Sequence, residues 1–234
     1  MAGRVLTAVA ASLSTATIVN CAGVSSPSSH DGTLSPALLT SRFRGATAGA
    51  TLDQLMSGAS GTYIDQLLAD RDSTIERWSD RVTRPLFVWI DSSSAIGGAQ
   101  AGFPAAVRTA FSEWAATGIA LRFVYVGSPR EADVRIRWTD HLNHKTGSTT
   151  WRTDRDGWLQ SGDITLATHI SDGHELDAHG MRAIALHEVG HALGLSHSAD
   201  PLDIMAPLVR VDCLSGADRG TIRLLYSVRA GRVQ

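Results

Sequence analysis

The sequence predicts an α+β domain, a twisted mixed β-sheet with helices packed on it, preceded by an N-terminal tail. Three observations predict it. Short apolar or alternating runs between residues 86 and 167 have the length and period of strands. Two longer stretches, around 103–119 and 181–193, have apolar residues three and four apart and read as helices. The composition also changes near residue 50, from a Ser-, Gly-, Thr- and Ala-rich tail to ordinary globular sequence. With 234 residues and 43% hydrophobic residues, the chain has room for one domain of usual size plus an extension.

The elements follow in order. Leu86-Phe87-Val88-Trp89-Ile90 is a continuous apolar run, as expected of a strand covered on both faces. Pro104 suits the first turn of a helix, and Phe103, Val107, Ala110, Phe111 and Trp114 share one face of it. Residues 121–126 and 134–138 read as strands, the second with clear period-two alternation. Residues 147–153 and 163–167 are two more. Helix 181–193 follows, and Ser215 caps a last helix that carries Asp218 in its first turn.

The helix at 181–193 carries the chemistry. His187-Glu188-Val189-Gly190-His191-Ala192-Leu193-Gly194-Leu195-Ser196-His197 has the form HExxHxxGxxH. Residues four apart lie on one helix face, so His187 and His191 can address one ion. Glu188 lies one position along, within reach of a metal-bound water without being a ligand. Gly194 accepts the left-handed backbone that a helix end often needs, which lets the chain turn and return His197 as a third ligand. Three imidazoles leave one tetrahedral position for water, the arrangement of a catalytic zinc site rather than a structural one. A helix with merely solvated histidines would need neither Gly194 nor His197 at these offsets.

Met205 follows within Asp203-Ile204-Met205-Ala206-Pro207 and resembles the Met-turn beneath the zinc in the metzincins. His197 is followed by Ser198, and the stretch HEVGHALGLSHS resembles the matrixins, the matrix-metalloprotease-like branch of that clan. Arg77-Trp78 with 85–90, the helix around 110–115, the strand 132–138, and Leu214-Ser215 with Asp218 and 224–226 are similar to matrixin segments in the same order. The resemblance covers roughly residues 76–228. It implies the metzincin, zincin-like architecture: a twisted mixed sheet with a long first helix, a zinc helix, a Met-turn and a C-terminal helix.

By that resemblance the chain is expected to be a zinc endopeptidase acting on proteins in extended conformation. One zinc ion on His187, His191 and His197 would acidify its bound water. Glu188 would act as general base, then pass the proton to the leaving amine. Met205 would support the ligands by packing. The strand at Gly147–Thr153 would form the upper rim of the cleft and residues 207–214 its pocket wall. The alternative, from another class, is a catalytically silent zinc domain that binds peptide or matrix. The intact Glu188 speaks against it.

Other metals lack such a pattern. His141, His144 and His169 with Asp140, Asp154 and Asp156 occupy the region where matrixins carry structural zinc and calcium. The His-x-Asp pairing of that loop is absent, and Thr153-Asp154-Arg155-Asp156-Gly157 is not a full calcium loop. His174 and His179 read as loop residues ahead of the zinc helix.

The N-terminus divides the chain into 1–21, 22–75 and 76–234. Met1-Ala2-Gly3-Arg4 followed by an uncharged stretch to Val19 has the layout of a signal peptide, so the protein is expected to be exported, either secreted or held in the cell envelope. Ile18-Val19-Asn20-Cys21 resembles a lipoprotein box that would place a lipid anchor on Cys21, although Asn20 is unusual before the lipidated Cys; cleavage after Ala16 is the other exit. Cys21 and Cys213 are the two cysteines, and an exported protein can pair them. Residues 22–50 read as a spacer. Residues 51–79 hold helical pieces, either a short pro-segment or an extension packed on the domain. A net charge of −2 without basic blocks gives no reason to expect nucleic acid, no stretch suits a transmembrane span, and the expected state is a monomer.

Overall fold

A computed structural model describes residues 4–7, 12, 13, 18, 55, 57–80, 84–92 and 101–233. Its centre is a mixed sheet of β4 (Leu86–Ile90), β5 (Phe123–Tyr125), β6 (Val134–Thr139), β7 (Gly147–Thr153) and β8 (Leu159–Ala167), in the order β5-β4-β6-β8-β7. The first four strands of that order run parallel, and β7 returns antiparallel to β8. Helices α2 (Phe103–Ala115) and α3 (Ala178–Ala192) pack against each other, and α3 lies on β7 and β8. Helix α4 (Gly216–Ser227) closes the fold.

β4 departs from the two-sided burial expected of its apolar run. Leu86, Val88 and Ile90 are buried, whereas Phe87 and Trp89 are half-buried. The guanidinium of Arg84 lies 5.3 Å from the Phe87 ring centroid, and that of Arg137 lies 5.9 Å from the Trp89 ring centroid. Arginine stems thus shelter the outer face. α2 stops at Ala115, and Thr117 donates to the Trp114 carbonyl in the turn that follows. β8 begins at Leu159, four residues before the expected 163, because the hairpin from β7 is short. Asp154 holds its turn by accepting from the backbone N–H groups of Asp156 and Trp158.

Residues 57–75, ahead of the expected domain start, belong to the packed unit. Helix α1 (Ile64–Asp70) and strand β3 (Thr74–Ile75) precede the first sheet strand, and β3 pairs with β10 (Gly231–Arg232) near the C-terminus. Leu55, Ile64, Leu67 and Ile75 are buried in the core, each contributing about 1.5–3 kcal/mol. Residues 57–75 are therefore packed on the domain through Ile64, Leu67 and Ile75. Arg77 is buried with them, donating to the Val228 and Trp78 carbonyls and to Asp80.

Two short strands come from the far N-terminus. β1 (Arg4–Thr7) pairs antiparallel with β7, from Arg4 opposite Thr153 to Thr7 opposite Thr150. β2 (Ser12–Leu13) pairs parallel with β9 (Leu208–Val209). The spacer and Cys21 lie outside the described residues; Cys213 is disulfide-bonded. No helix among the described residues is long and apolar enough to cross a membrane.

Candidate active site

Helix α3 starts at Ala178, three residues ahead of expectation, because Asp177 caps it by accepting from the Gly180 N–H. His179 consequently sits in its first turn instead of in a loop. The helix ends in a Schellman turn: the Gly194 N–H donates to the His191 carbonyl and the Leu195 N–H to the Gly190 carbonyl. Gly194 has φ +106°, and a Cβ there would lie 2.2 Å from the backbone oxygen of Glu76. The remaining terminal carbonyls find side chains, since Trp78 Nε1 donates to Ala192 and the Tyr226 hydroxyl to Leu193.

That turn brings three imidazoles together. Their ligand atoms lie within 4.8 Å of one another, with His187 and His191 buried and His197 partly so. His187 Nδ1 is 2.8 Å from the Ile204 carbonyl oxygen, and His191 Nδ1 is 2.9 Å from that of Leu195. A carbonyl can only accept, so both Nδ1 atoms carry the hydrogen and both Nε2 atoms present lone pairs. Those two Nε2 atoms face each other at 2.9 Å. Two lone pairs at that distance repel unless a cation sits beside them. Burial drives His187 down to about 3, eased by its bond to Ile204 and reinforced by His197. Burial, then His187 and His197, hold His191 well below its ordinary value. His187 and His191 are thus neutral at physiological pH, the form that binds metal.

The Met-turn forms the floor. Met205 is fully buried, and a Cβ on Gly190 would come within 2.3 Å of its sulfur, so the helix and Met205 touch through the missing side chain. The Ser198 N–H donates to the Met205 carbonyl, and the Ser198 hydroxyl donates to Asp203. Asp218 ties this floor to α4. It accepts from the Ile204 N–H and closes a capping box with Ser215, and the buried Tyr63 hydroxyl donates to it. Its carboxyl is pushed up by burial, against the backbone bonds that favour its charge.

Glu188, next to His187 in the sequence, is buried and faces β7, where the Thr149 hydroxyl donates to its Oε2 at 2.6 Å. A three-imidazole donor set suits zinc, and an adjacent carboxylate suits proton transfer.

The matrixin family profile matches residues 90–227, more than half of the chain. The chain belongs to the matrixin family. It is 29% identical over 147 residues to Metalloendoproteinase 1 of Glycine max, covering 54% of this chain and 46% of that protein. It is 32% identical over 111 residues to a protein of Invertebrate iridescent virus 3 named probable matrix metalloproteinase 095L, covering 41% of this chain and 29% of that one. The chain thus spans less than half the length of either relative.

In this matrixin the structure brings together His187, His191, His197, Glu188, Gly194 and Met205. Among the described residues it gathers no other histidine with them. His141 and His169 stack on each other with ring centroids 5.0 Å apart, and His174 pairs with Asp172. Asp154 is spent on its own turn. Sequence reasoning missed Thr149 and Arg71. Thr149 was legible only as an inward position of a strand, and nothing local marks Arg71, because its partners Leu195 and Ser196 lie about 125 residues away.

Proposed function

We propose that this matrixin is a zinc-dependent endopeptidase with Glu188 as its general base and His187, His191 and His197 as the metal ligands. The observation that carries the reading is the pair of Nε2 lone pairs turned on each other, with both Nδ1 atoms committed to carbonyls. When bound, zinc supplies Lewis acidity toward water and the scissile carbonyl. Glu188 takes a proton from the attacking water and returns it to the leaving amine. The Thr149 hydroxyl holds one carboxylate oxygen, fixing the orientation of the other for this exchange. Met205 packs under the helix and takes no part in proton transfer.

The cleft suits an extended substrate. β7 is an edge strand of the domain's own sheet, and β1 lies on it antiparallel while β2 lies parallel on β9. An extended peptide added in the same direction would gain main-chain hydrogen bonds on both rims. This supports the Gly147–Thr153 rim and the 207–214 wall as the places where substrate is read.

The test uses the full chain with zinc content measured alongside cleavage of quenched-peptide mixtures. Glu188→Ala should lower cleavage by about 10²–10⁴-fold while retaining the metal, and a chelator should abolish cleavage of the wild type. A zinc-loaded wild type that cuts no peptide would overturn the endopeptidase reading in favour of a peptide-binding domain.

A further inference from the structure

We infer that Arg71, from the segment ahead of the matched family region, is a positioning residue for the metal centre: it holds the carbonyl on which the second histidine ligand is aligned. This rests on the assignment of His191 as a ligand but not on peptidase activity.

The Arg71 side chain is 7% exposed, and each of its three nitrogens has a partner. Nη2 donates to the Leu195 carbonyl and Nε to the Ser196 hydroxyl, both at 3.2 Å. Nη1 donates to Glu76 Oε2, also at 3.2 Å. The same Glu76 oxygen accepts from Trp151 Nε1 of β7 at 2.9 Å, and the guanidinium lies 5.1 Å from the Trp151 ring centroid. The Leu195 carbonyl is the one that accepts from His191 Nδ1. A single oxygen therefore receives His191 from the metal side and Arg71 from behind.

The location gives this bond its consequence. Leu195 and Ser196 join the Schellman turn at Gly194 to His197, so they set both the orientation of the second imidazole and the return of the third. The turn is a loop, and a carbonyl in a loop can rotate unless held. Arg71 presents a planar fork of donors that fits the carbonyl and the hydroxyl at once, a geometry lysine lacks. Glu76 and Trp151 in turn fix the fork, and Glu76's own backbone oxygen closes against Gly194. The segment from Arg71 to Trp78 thus braces the metal loop from outside the motif. Groups that orient a ligand histidine through its second nitrogen typically change metal affinity by about 10–100-fold when removed.

The experiment is metal competition on the full chain. Zinc affinity is measured against a chromophoric chelator, and ligand geometry by the visible absorption of the cobalt(II)-loaded protein. Arg71→Met keeps the aliphatic stem and should weaken zinc binding at least about tenfold with an altered cobalt spectrum. Glu76→Gln, whose amide oxygen still accepts from Arg71 and Trp151 and so keeps the fork in place while removing the charge, should stay within about threefold of wild type on the same scale. Arg71→Lys should recover only part of the affinity.

The double variant Arg71→Met/Glu76→Gln separates positioning from charge burial. It removes the buried carboxylate charge that Arg71→Met strands. If the double variant stays weak, Arg71 positions the ligand. If it regains wild-type affinity, or if Arg71→Met binds zinc and gives the cobalt spectrum of the wild type, the inference is overturned. Should Arg71→Met not fold, the contrast of Arg71→Lys with Glu76→Gln decides: equal affinities for those two would also overturn it. Wild-type zinc binding without peptide cleavage would defeat the endopeptidase proposal and leave this one standing.

Discussion

Two groups of histidines lie in this chain, and they differ in what holds their rings. His187 and His191 are buried, each with Nδ1 on a backbone carbonyl and Nε2 turned inward. His141 and His169 also sit close, with ring centroids 5.0 Å apart, against 4.6 Å for His187 and His191. Distance alone does not separate the pairs. What does is that His169 Nδ1 meets the Thr168 hydroxyl, a partner that rotates and can donate or accept, whereas a carbonyl dictates the tautomer. His141 and His174 are exposed, and His179, 43% exposed, lies 3.6 Å from Asp212. For His187 and His191, backbone carbonyls from the Met-turn and the Schellman turn assign the protons and turn Nε2 toward the candidate metal position.

The largest effect should come from removing a member of the buried set. His187→Ala should lose zinc on dialysis against a weak chelator, read by metal content, and lose all chelator-sensitive cleavage with it. Next is the turn. Gly194→Ala places a Cβ against the fixed Glu76 backbone at a positive φ, so neither strain nor clash can relax cheaply. We expect at least about 2 kcal/mol of destabilisation in denaturant unfolding. A smaller cost would mean that the loop shifts, and zinc affinity would then report the shift.

A pH dependence sharpens the same contrast. His187 is depressed to about 3 from an ordinary value of 6.5. The unfolded chain therefore binds a proton that the metal-free folded protein refuses. The stability linked to the neutral ring is fully present above about 6.5 and is lost as pH falls from there toward about 3. The melting temperature of the metal-free chain should decline across that window, and zinc should hold it up until protons compete for the imidazoles. A flat profile across the window would show that the ring is not buried neutral.

The zinc motif was legible because its physics is local: helix spacing, one turn and one glycine define it within eleven residues. The capping box of Ser215 and Asp218 was legible for the same reason. The early start of α3 was not, since Ala178, His179 and Gly180 carry no apolar period and the Asp177 cap is the whole signal. The role of 57–75 in the core stayed open because helical pieces in a short segment look alike whether packed or free. Arg71 was beyond reach altogether. Its importance lies in meeting Leu195 and Ser196 across the fold, and one arginine in sequence says nothing of such a partner.

The smallest expected effect belongs to the second histidine pair. His141→Ala should change stability by no more than about 0.5 kcal/mol, as for a surface change, and His169→Ala, which removes a hydrogen bond to the buried Thr168 hydroxyl, by about 0.5–1.5 kcal/mol. Neither should alter the zinc-to-protein ratio. The comparison makes this a sharp test, because the pair has the proximity of a ligand set and lacks the carbonyl partners. Should either substitution lower the metal content, ring proximity would suffice to recruit an ion, and the backbone carbonyls would no longer explain which histidines of this matrixin are ligands.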